Sequence, residues 1–510
     1  MSKEIKFCLL YRDMWQSSGK YFPRIDEFEK IAPAIIEMGC FDRVETNGGA
    51  YEQTCMIKGE NPNPSVRKFT SLLHDGGIQC QMLERALNAI TMSPVSEDLR
   101  KLMFKVKKAQ GVDIARSFCG LNDYRNLELS IKYAKEVGMI SQVALSMTHS
   151  PYHTNDYYMS LVDKVVEYGA DEIALKDMAG VGRPVTLGKL VTAIKTKYPH
   201  IIVQYHGHSG PGFSVASMLE VANAGVDYID VAMEPLAWGM VHPDIITIQA
   251  MLKDAGFKVK DVNMKAYMKA RALTQSFIDE WLGYWIEPSN KQMTSLLVGC
   301  GLPGGMMGSL MDGLLQMQPV INQALKASNK AELSIDELLP ILFEEVEYVW
   351  PKLGYPPLVT PFSQYVKNIA LFNILSLAQG NGRWQNIDGA SWDMIIGKAG
   401  KLPGPLDAEI IELAKSKGLE FYDGLPQELY PNKLEEYRKE MEDNGWELGE
   451  DEEELFELAM HEKQYRPYKS GVAQQNFEKE FETKKNKRKL TKEMKRPIPD
   501  DLYSWAWDEL

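Results

Sequence analysis

The sequence predicts a (β/α)8 TIM barrel followed by a mostly helical domain packed at the barrel mouth. Up to about residue 250, eight short β-like runs alternate with amphipathic helical segments, which is typical of a closed parallel barrel. Glycine often stands just past a helical segment, as at Gly39, Gly138, Gly169 and Gly225, where helices commonly stop. No Gly-x-Gly-x-x-Gly motif follows the first run, so an open dinucleotide-binding sheet is not favoured.

The eight predicted strands are short and apolar, as buried parallel strands are. Helical segments such as 27–38 and 156–168 lie between them. The predicted strands cover residues 5–10, 43–46, 78–83, 114–118, 140–147, 172–175, 201–205 and 228–231.

After the barrel, the chain changes character. We predict a catalytic barrel domain over residues 1–260, a helical domain over 261–470 and a charged C-terminal tail over 471–510. The helical domain has long helical patterns interrupted by loops at 301–305 and 356–361. The basic stretch at 484–496 is interpreted as a solvated end, with a docking arm for an acidic partner or a membrane surface as the alternative.

Composition limits the class of protein. The chain has 510 residues, which suggests two or three domains, and a formal net charge of −13, which argues against a nucleic-acid binder. No apolar run approaches the roughly 20 residues needed to span a bilayer, and the start does not resemble a signal peptide. The six cysteines are scattered without a Cys-x-x-Cys motif, so we expect reduced thiols and a cytoplasmic protein.

Polar residues cluster at the ends of the predicted strands. In a TIM barrel the catalytic groups come from the carboxyl ends of the strands. The residues at these ends are Asp13, Glu45, Arg85, Lys176, Asp177, His206 and His208.

The motif His206-Gly207-His208 indicates half of a metal site. Residues i and i+2 of a strand share one face, so both imidazoles project together and suit one metal ion. The motif alone is equally consistent with a polar strand end. Asp13 lies on a nearby strand and adds a carboxylate, the other usual ligand type. For Lys176, the spacing favours an ion pair with a neighbouring carboxylate, although carboxylation by CO₂ would convert it into an anionic oxygen ligand.

Several short motifs occur in a fixed order along the chain. They are Arg12-Asp13-x-x-Gln16-Ser17, Val44-Glu45-x-x-Gly48-Gly49, Ile173-Ala174-Leu175-Lys176-Asp177-Met178-Ala179-Gly180, His206-x-His208, Leu302-Pro303-Gly304-Gly305 and Leu358-Val359-Thr360-Pro361-x-Ser363-Gln364. In these motifs, over roughly residues 5 to 470, the chain resembles the carboxyltransferase component of biotin-dependent enzymes that act on 2-oxo acids. This family includes the carboxyltransferase domain of pyruvate carboxylase, the α subunit of oxaloacetate decarboxylase and the 5S subunit of transcarboxylase.

The resemblance implies a metal-dependent active site. It makes Asp13, carboxylated Lys176, His206 and His208 the ligands of a divalent Zn, Co or Mn ion. The reaction it implies moves a carboxyl group between a 2-oxo acid of the oxaloacetate/pyruvate type and biotin, through a metal-stabilised enolate.

The resemblance also implies roles outside the metal site. Arg85 and Gln16 would hold the carboxylate and oxo group of the substrate. Thr360 would move a proton between biotin N1 and the enol, with Ser363 and Gln364 beside it in the biotin-binding motif.

Some pocket residues depart from the family pattern. Met14-Trp15 replaces the usual Ala-His pair, Ala86 replaces a glycine, and Cys119 replaces an aspartate. Because the predicted metal ligands are all present, these changes leave the substrate less defined than the reaction class.

The sequence also indicates partners. It contains no Ala/Val-Met-Lys-Met biotinyl motif and no ATP-grasp domain, so we expect biotin from a separate biotin carboxyl carrier protein. The resemblance implies a homodimer within a multisubunit complex, including association with membrane decarboxylase subunits, and no nucleic-acid partner.

Two other functions compete with this interpretation. One is a metal-dependent lyase or synthase of the 3-hydroxy-3-methylglutaryl-CoA lyase type, which shares the Arg-Asp-x-x-Gln start and the His-x-His. The stretch around Lys176 and the motif of Thr360 argue against it. The other is a non-catalytic core subunit, which Cys119 and the altered loop at Ala86 would favour.

Overall fold

Eight parallel strands close into a barrel, which confirms the predicted fold class. The computed structural model describes residues 3–300 and 306–494. Each strand pairs with the next, and β8 pairs with β1. All eight predicted strands are present, although some ends differ by a few residues. The strands are β1 Lys6–Leu9, β2 Phe41–Gly48, β3 Gln79–Glu84, β4 Ile114–Phe118, β5 Ile140–Ser146, β6 Glu172–Asp177, β7 Ile202–Gly207 and β8 Tyr228–Val231.

Helices surround the barrel and continue beyond it. The helices up to β8 are α1 Tyr11–Ser18, α2 Ile25–Glu37, α3 Tyr51–Lys58, α4 Pro62–Asp75, α5 Glu97–Ala109, α6 Glu128–Glu136, α7 Asn155–Glu167, α8 Pro184–Lys197 and α9 Ser214–Asn223. Those after β8 are α10 Ile245–Asp254, α11 Met264–Glu280, α12 Leu297–Cys300, α13 Met306–Ala327, α14 Ile335–Lys352, α15 Phe362–Ala378, α16 Gly389–Ile395, α17 Ala408–Ser416, α18 Leu434–Asp443, α19 Glu453–Lys469 and α20 Val472–Met494.

The interior of the barrel is lined by charged and amide side chains. Near the amino ends of the strands, Arg43 donates to Glu172 at 2.7 Å and to Gln204 at 2.9 Å. Gln142 donates to the same two acceptors, at 2.7 and 2.8 Å. Buried charges are tolerated only where partners satisfy them, so this layer fixes the register of four strands at once.

A second charged layer lies closer to the barrel mouth. Arg116 of β4 donates to Asp230 of β8 at 2.6 Å and to Gln142 at 2.6 Å. Arg12 donates to Glu45 of β2 at 2.8 Å. The side chains of Arg116, Asp230 and Glu45 have no exposed surface. The layer therefore carries a network of ion pairs directly beneath the mouth.

The helical region contacts the barrel at several places. Helix α11 packs on α2, and α13, α14 and α15 pack on one another. The loop before α15 reaches the barrel mouth, where Val359 joins an apolar cluster with Leu83 and Phe118. Helices α19 and α20 then return to α3, and α19 also contacts α5. The motif Leu302-Pro303-Gly304-Gly305 lies outside the described residues.

The segment predicted as a charged tail begins as a packed helix. On α20, Phe477 stacks on Trp285 with ring centroids 5.0 Å apart, and Phe481 lies 5.2 Å from the same ring. Helix α20 also passes so close to Gly59 that a Cβ there would lie 2.6 Å from Gln474 Cβ. A positive φ of 87° independently requires glycine at this position. Two aromatic residues spaced i, i+4 therefore dock a helix whose other residues are mostly charged.

Helix α19 carries a buried carboxyl group. Glu457 is 1% exposed, and neither of its carboxylate oxygens has a hydrogen-bond partner among the described residues. Burial raises its pKa well above the usual 4.5, and nearby Lys107 opposes that shift only in part. Burial therefore favours the neutral, protonated form of this side chain in the folded protein.

Among the described residues, no helix is long and apolar enough to cross a bilayer.

Replacing Phe477 by Ala should detach α20. Removing a half-buried aromatic ring should cost about 2 kcal/mol, so cleavage by trypsin within residues 472–488 should speed up by roughly 30-fold. Limited proteolysis with mass spectrometry measures this rate. The control is Phe421→Ala, because Phe421 is 44% exposed. Equal cleavage rates in the two variants would show that the ring does not hold the helix.

Replacing Glu457 by Gln should change how stability depends on pH. Folding takes up a proton at Glu457 wherever the pH lies between 4.5 and its raised native pKa, so wild-type stability falls there by up to about 1.4 kcal/mol per pH unit. Glutamine has no such proton. The advantage of Glu457→Gln in the free energy of unfolding, measured by urea unfolding, should therefore grow as the pH rises above 4.5. Glu436→Gln, at an exposed position, should show no such growth, and parallel curves for wild type and Glu457→Gln would contradict the assignment.

Candidate metal centre

Four ligand-type side chains meet at the carboxyl end of the barrel. Asp13 lies on α1, which begins two residues after β1 ends. His206 lies on β7, and His208 follows the end of that strand. His242 lies in the loop between β8 and α10. All four are buried, and their ligand atoms lie within 4.8 Å of one another.

One carboxylate oxygen of Asp13 faces all three imidazoles. Its Oδ2 lies 3.6 Å from His206 Nε2, 3.3 Å from His208 Nε2 and 3.1 Å from His242 Nε2. The Nε2 atoms of His206 and His208 are 3.2 Å apart. The prediction that both histidines of the motif project to one side agrees with this arrangement.

The other ring nitrogen of each histidine faces a fixed acceptor. A backbone carbonyl only accepts, so in the neutral rings of His208 and His242 Nδ1 carries the proton and Nε2 keeps its lone pair. At His206, Nδ1 lies 3.2 Å from Arg116 Nη1 and closer to the accepting carboxylate of Asp230, and the shorter contact assigns the proton to Nδ1 there as well. The three contacts are His206 Nδ1 to Asp230 Oδ2 at 2.9 Å, His208 Nδ1 to Met240 O at 2.8 Å and His242 Nδ1 to Gly207 O at 2.9 Å.

Lys176 lies beside this group. It pairs in register with His206 on the neighbouring strand, and its Nζ is 3.3 Å from His206 Nε2. Burial lowers the pKa of Lys176 to about 8, although the charges of Asp13 and Glu45 oppose that shift. The ion pair with a neighbouring carboxylate, which the spacing favoured, is absent from the described contacts of Lys176 within 4 Å. A neutral amine is the form that reacts with CO₂ to give a carbamate, so this lysine is suited to that modification.

The electrostatics of the centre favour a bound cation. Burial alone would raise the pKa of Asp13, but Arg12 and the contacts with His208 and His242 outweigh it and hold that pKa well below its usual range. Burial lowers the pKa of His242 to about 4 and that of His206 well below its usual value. His206 and His242 are therefore neutral and able to coordinate a metal at neutral pH.

Arg85 and Gln16 both contact the backbone of the turn that follows β2, at and just after Gly49. Arg85 Nη1 donates to the carbonyl oxygens of Gly49, Ile90 and Thr91 at 3.1, 2.9 and 3.2 Å. Gln16 Oε1 accepts from Arg12 and lies 3.4 Å from the backbone nitrogen that follows Gly49. Arg85 makes no ion pair among the described residues, and burial lowers its pKa to about 10. A buried guanidinium without a carboxylate partner is suited to receive an anionic ligand.

The predicted biotin motif, residues 358–364, contacts the barrel mouth through the side chain of Val359. Val359 packs on Phe118, whose ring centroid is 5.5 Å from Lys176 Nζ. Thr360 is half-buried just after it, and Gln364 is half-buried on α15. The hydroxyl of Ser363 is buried and has no hydrogen-bond partner among the described residues. The departures Trp15, Ala86 and Cys119 are all buried.

Sequence reasoning missed two parts of this centre. His242 was not predicted, although it is one of only eight histidines and follows the last strand, next to the strand that leads to Asp13. Asp230 was also missed, because an aspartate inside an apolar strand has no motif around it. Its contact with His206 can be recognised only from the structure, in which β8 lies beside β7.

The chain matches known families in both halves. Residues 122–272 match the HMGL-like family, and residues 324–498 match the conserved carboxylase domain. The chain is 30% identical over 459 residues to a pyruvate carboxylase subunit of Methanocaldococcus jannaschii, covering 88% of this chain and 75% of that protein. It is 28% identical over 412 residues to the methylmalonyl-CoA carboxyltransferase 5S subunit of Propionibacterium freudenreichii subsp. shermanii, covering 80% and 76%.

A solved structure has the same fold. The carboxyl transferase domain from Rhizobium etli pyruvate carboxylase superposes with a TM-score of 0.79 at 21% identity. The superposition covers 93% of this chain and 78% of that one.

Replacing Asp230 by Asn should weaken both the fold and the centre. An amide cannot neutralise buried Arg116, so the free energy of unfolding should fall by about 3 kcal/mol. The orientation of His206 should loosen, so metal affinity should fall by roughly 10-fold or more. Urea unfolding and metal titration measure the two effects. The control is Asp163→Asn, which removes an exposed ion pair with Lys197 and should change both by little. If Asp230→Asn matched this control, the network would not support the centre.

Proposed function

This chain belongs to the biotin-dependent carboxyltransferase family, and we propose on that premise that it transfers a carboxyl group between a 2-oxo acid and biotin. The observation that carries the proposal is a group of buried ligand-type side chains at the barrel mouth, with a buried arginine nearby that forms no ion pair within the described part of the chain. The metal would stabilise the negative charge of an enolate as a Lewis acid.

A divalent metal ion fits the residues at the mouth. Three imidazoles and one carboxylate are an N/O donor set that Zn, Co and Mn accept. We propose Asp13, His206 and His208 as ligands, with Lys176 joining them as a carbamate. The proximity of Lys176 Nζ to His206 Nε2 supports this set.

Arg85 and Gln16 are proposed to bind the substrate. The charge of Arg85 is held by three carbonyl groups and not by a carboxylate, so it remains available to a substrate carboxylate. Because Oε1 of Gln16 faces Arg12, the amide NH₂ group is the end left to donate to an oxo group.

Thr360 is proposed to move the proton. A hydroxyl both donates and accepts, so it can pass a proton between biotin N1 and the enol carbon. Ser363 and Gln364 would bind biotin beside it, and the unpartnered hydroxyl of Ser363 supports that role. The packing of Val359 on the mouth would keep water away from the enolate.

The match to the conserved carboxylase domain favours a carboxyltransferase over a lyase. The HMGL-like match is confined to the barrel and its immediate continuation, whereas the carboxylase match covers Thr360 and the helical region. We propose a 2-oxo acid of the oxaloacetate/pyruvate type as substrate and a separate biotin carboxyl carrier protein as partner. A homodimer within a multisubunit complex, in contact with membrane decarboxylase subunits, stays a prediction. The free, buried cysteines at positions 8, 40, 55, 80 and 119 support a cytoplasmic location.

Replacing Thr360 by Ala should abolish biotin-dependent turnover. Free biotin or a biotinylated carrier should stimulate decarboxylation of oxaloacetate by the wild type, and Thr360→Ala should lower that rate by at least 100-fold. Pyruvate release coupled to lactate dehydrogenase measures the rate. Thr192→Ala, on α8 away from the mouth, is the control and should match wild type. Cleavage of an acyl-CoA without any need for biotin would favour the lyase function instead.

A further inference from the structure

His242 is a third imidazole at the centre, and the predicted ligand set does not include it. We propose that His242 is itself a ligand of the metal, so that three histidines hold the ion together with Asp13 and the carbamate of Lys176. The inference rests on the proposed function for the presence of a metal and adds one residue to its binding site.

The hydrogen bonds of His242 leave its inner nitrogen without a proton. Nδ1 lies 2.9 Å from the carbonyl oxygen of Gly207, which only accepts, so Nδ1 bears the hydrogen. Nε2 of the neutral ring is then a lone pair, and it lies 3.1 Å from Asp13 Oδ2. Two acceptors at this distance repel each other unless a cation stands between them.

The same conflict recurs at the other two histidines. His206 and His208 also use Nδ1 as the donor, so their Nε2 lone pairs face each other at 3.2 Å. A proton on Nε2 of one ring would turn its contact with Asp13 into a hydrogen bond, but the Nε2 lone pairs of the other two rings would still face Asp13. One cation at the centre of the group relieves all of them together.

The spacing of the ligand atoms fits a single ion. Two ligands about 2.1 Å from a metal lie about 3.0 Å apart at a right angle and about 3.4 Å apart at a tetrahedral angle. The measured separations run from 3.1 to 3.6 Å, and the shortest of them is that between His242 and Asp13. His242 therefore lies as close to the common point as the histidines of the motif.

The loop that carries His242 is fixed by its backbone. Trp238 N–H donates to the carbonyl of His242 at 2.9 Å, and Ser209 N–H donates to that of Val241 at 2.7 Å. Trp238 adopts a φ of +73°, which is strained for a residue with a side chain. The chain thus accepts local strain in the loop that holds this histidine next to the end of β7.

Metal binding by His242→Ala tests the inference. Wild-type apoprotein titrated with Co²⁺ should bind about one ion per chain. His242→Ala should bind it at least 10-fold more weakly, with a changed visible absorption spectrum, because one nitrogen ligand is lost. Added imidazole should restore the wild-type spectrum by entering the space left by the ring. The matched control is His153→Ala, since His153 is also buried and neutral but lies outside the ligand group.

The outcomes separate this inference from the proposed function. Circular dichroism verifies that the variants fold, and His242→Gln provides a second variant that keeps a side chain of similar reach. Unchanged affinity and spectrum in a folded His242 variant would overturn the inference and leave the proposed function intact. A wild-type protein that binds no metal would overturn the metal site as a whole, and a carboxyltransferase that still turned over would then work without it.

Discussion

The barrel and the candidate metal centre both depend on the carboxylate of Asp230, which contacts the guanidinium of Arg116 and the ring of His206. Asp230 accepts from Arg116 at 2.6 Å and from His206 Nδ1 at 2.9 Å, so one carboxylate both neutralises the barrel interior and orients a ring at the mouth. Breaking such a pair leaves a charge stranded in a medium that cannot solvate it. The same buried ion pair therefore stabilises the barrel and orients a candidate metal ligand, so a change to one affects the other.

The need to pair buried charges also accounts for the polar side chains that fill the interior of the barrel. TIM barrels are commonly filled with branched apolar side chains, but here Arg43, Glu172 and Gln204 occupy the layer below. Directional hydrogen bonds fix rotamers more strictly than dispersion contacts do. The ring of His206 is therefore held in one orientation by directional contacts, as coordination of a metal by this candidate centre would require.

The sequence was informative about the barrel and only partly about the centre. Alternating apolar runs and glycine stops sufficed for the eight strands, and the paired histidines with Asp13 pointed to one place. Strand residues such as Arg116 and Asp230 could not be understood from their pattern, since charges inside a strand ordinarily indicate a solvent-facing side. His242 lies in an irregular loop, where no periodicity indicates which way a side chain points. The abundant charges of α20 likewise masked Phe477 and Phe481, the two rings that decide its packing.

The chain leaves the barrel and comes back to nearly the same side of it. Helix α11 lies on α2, α19 and α20 lie on α3, and α19 also contacts α5. The region between these helices is tied to the barrel again on the side of β4, where Lys401 N–H donates to Asp123 at 2.8 Å and Asn126 donates to the carbonyl of Ala399 at 3.1 Å. The loop of Val359 and Thr360 is therefore carried by a region that is fastened to the barrel before it and after it along the chain. Moving Thr360 away from the mouth would require breaking some of these contacts, so the position of one hydroxyl depends on bonds made far from it.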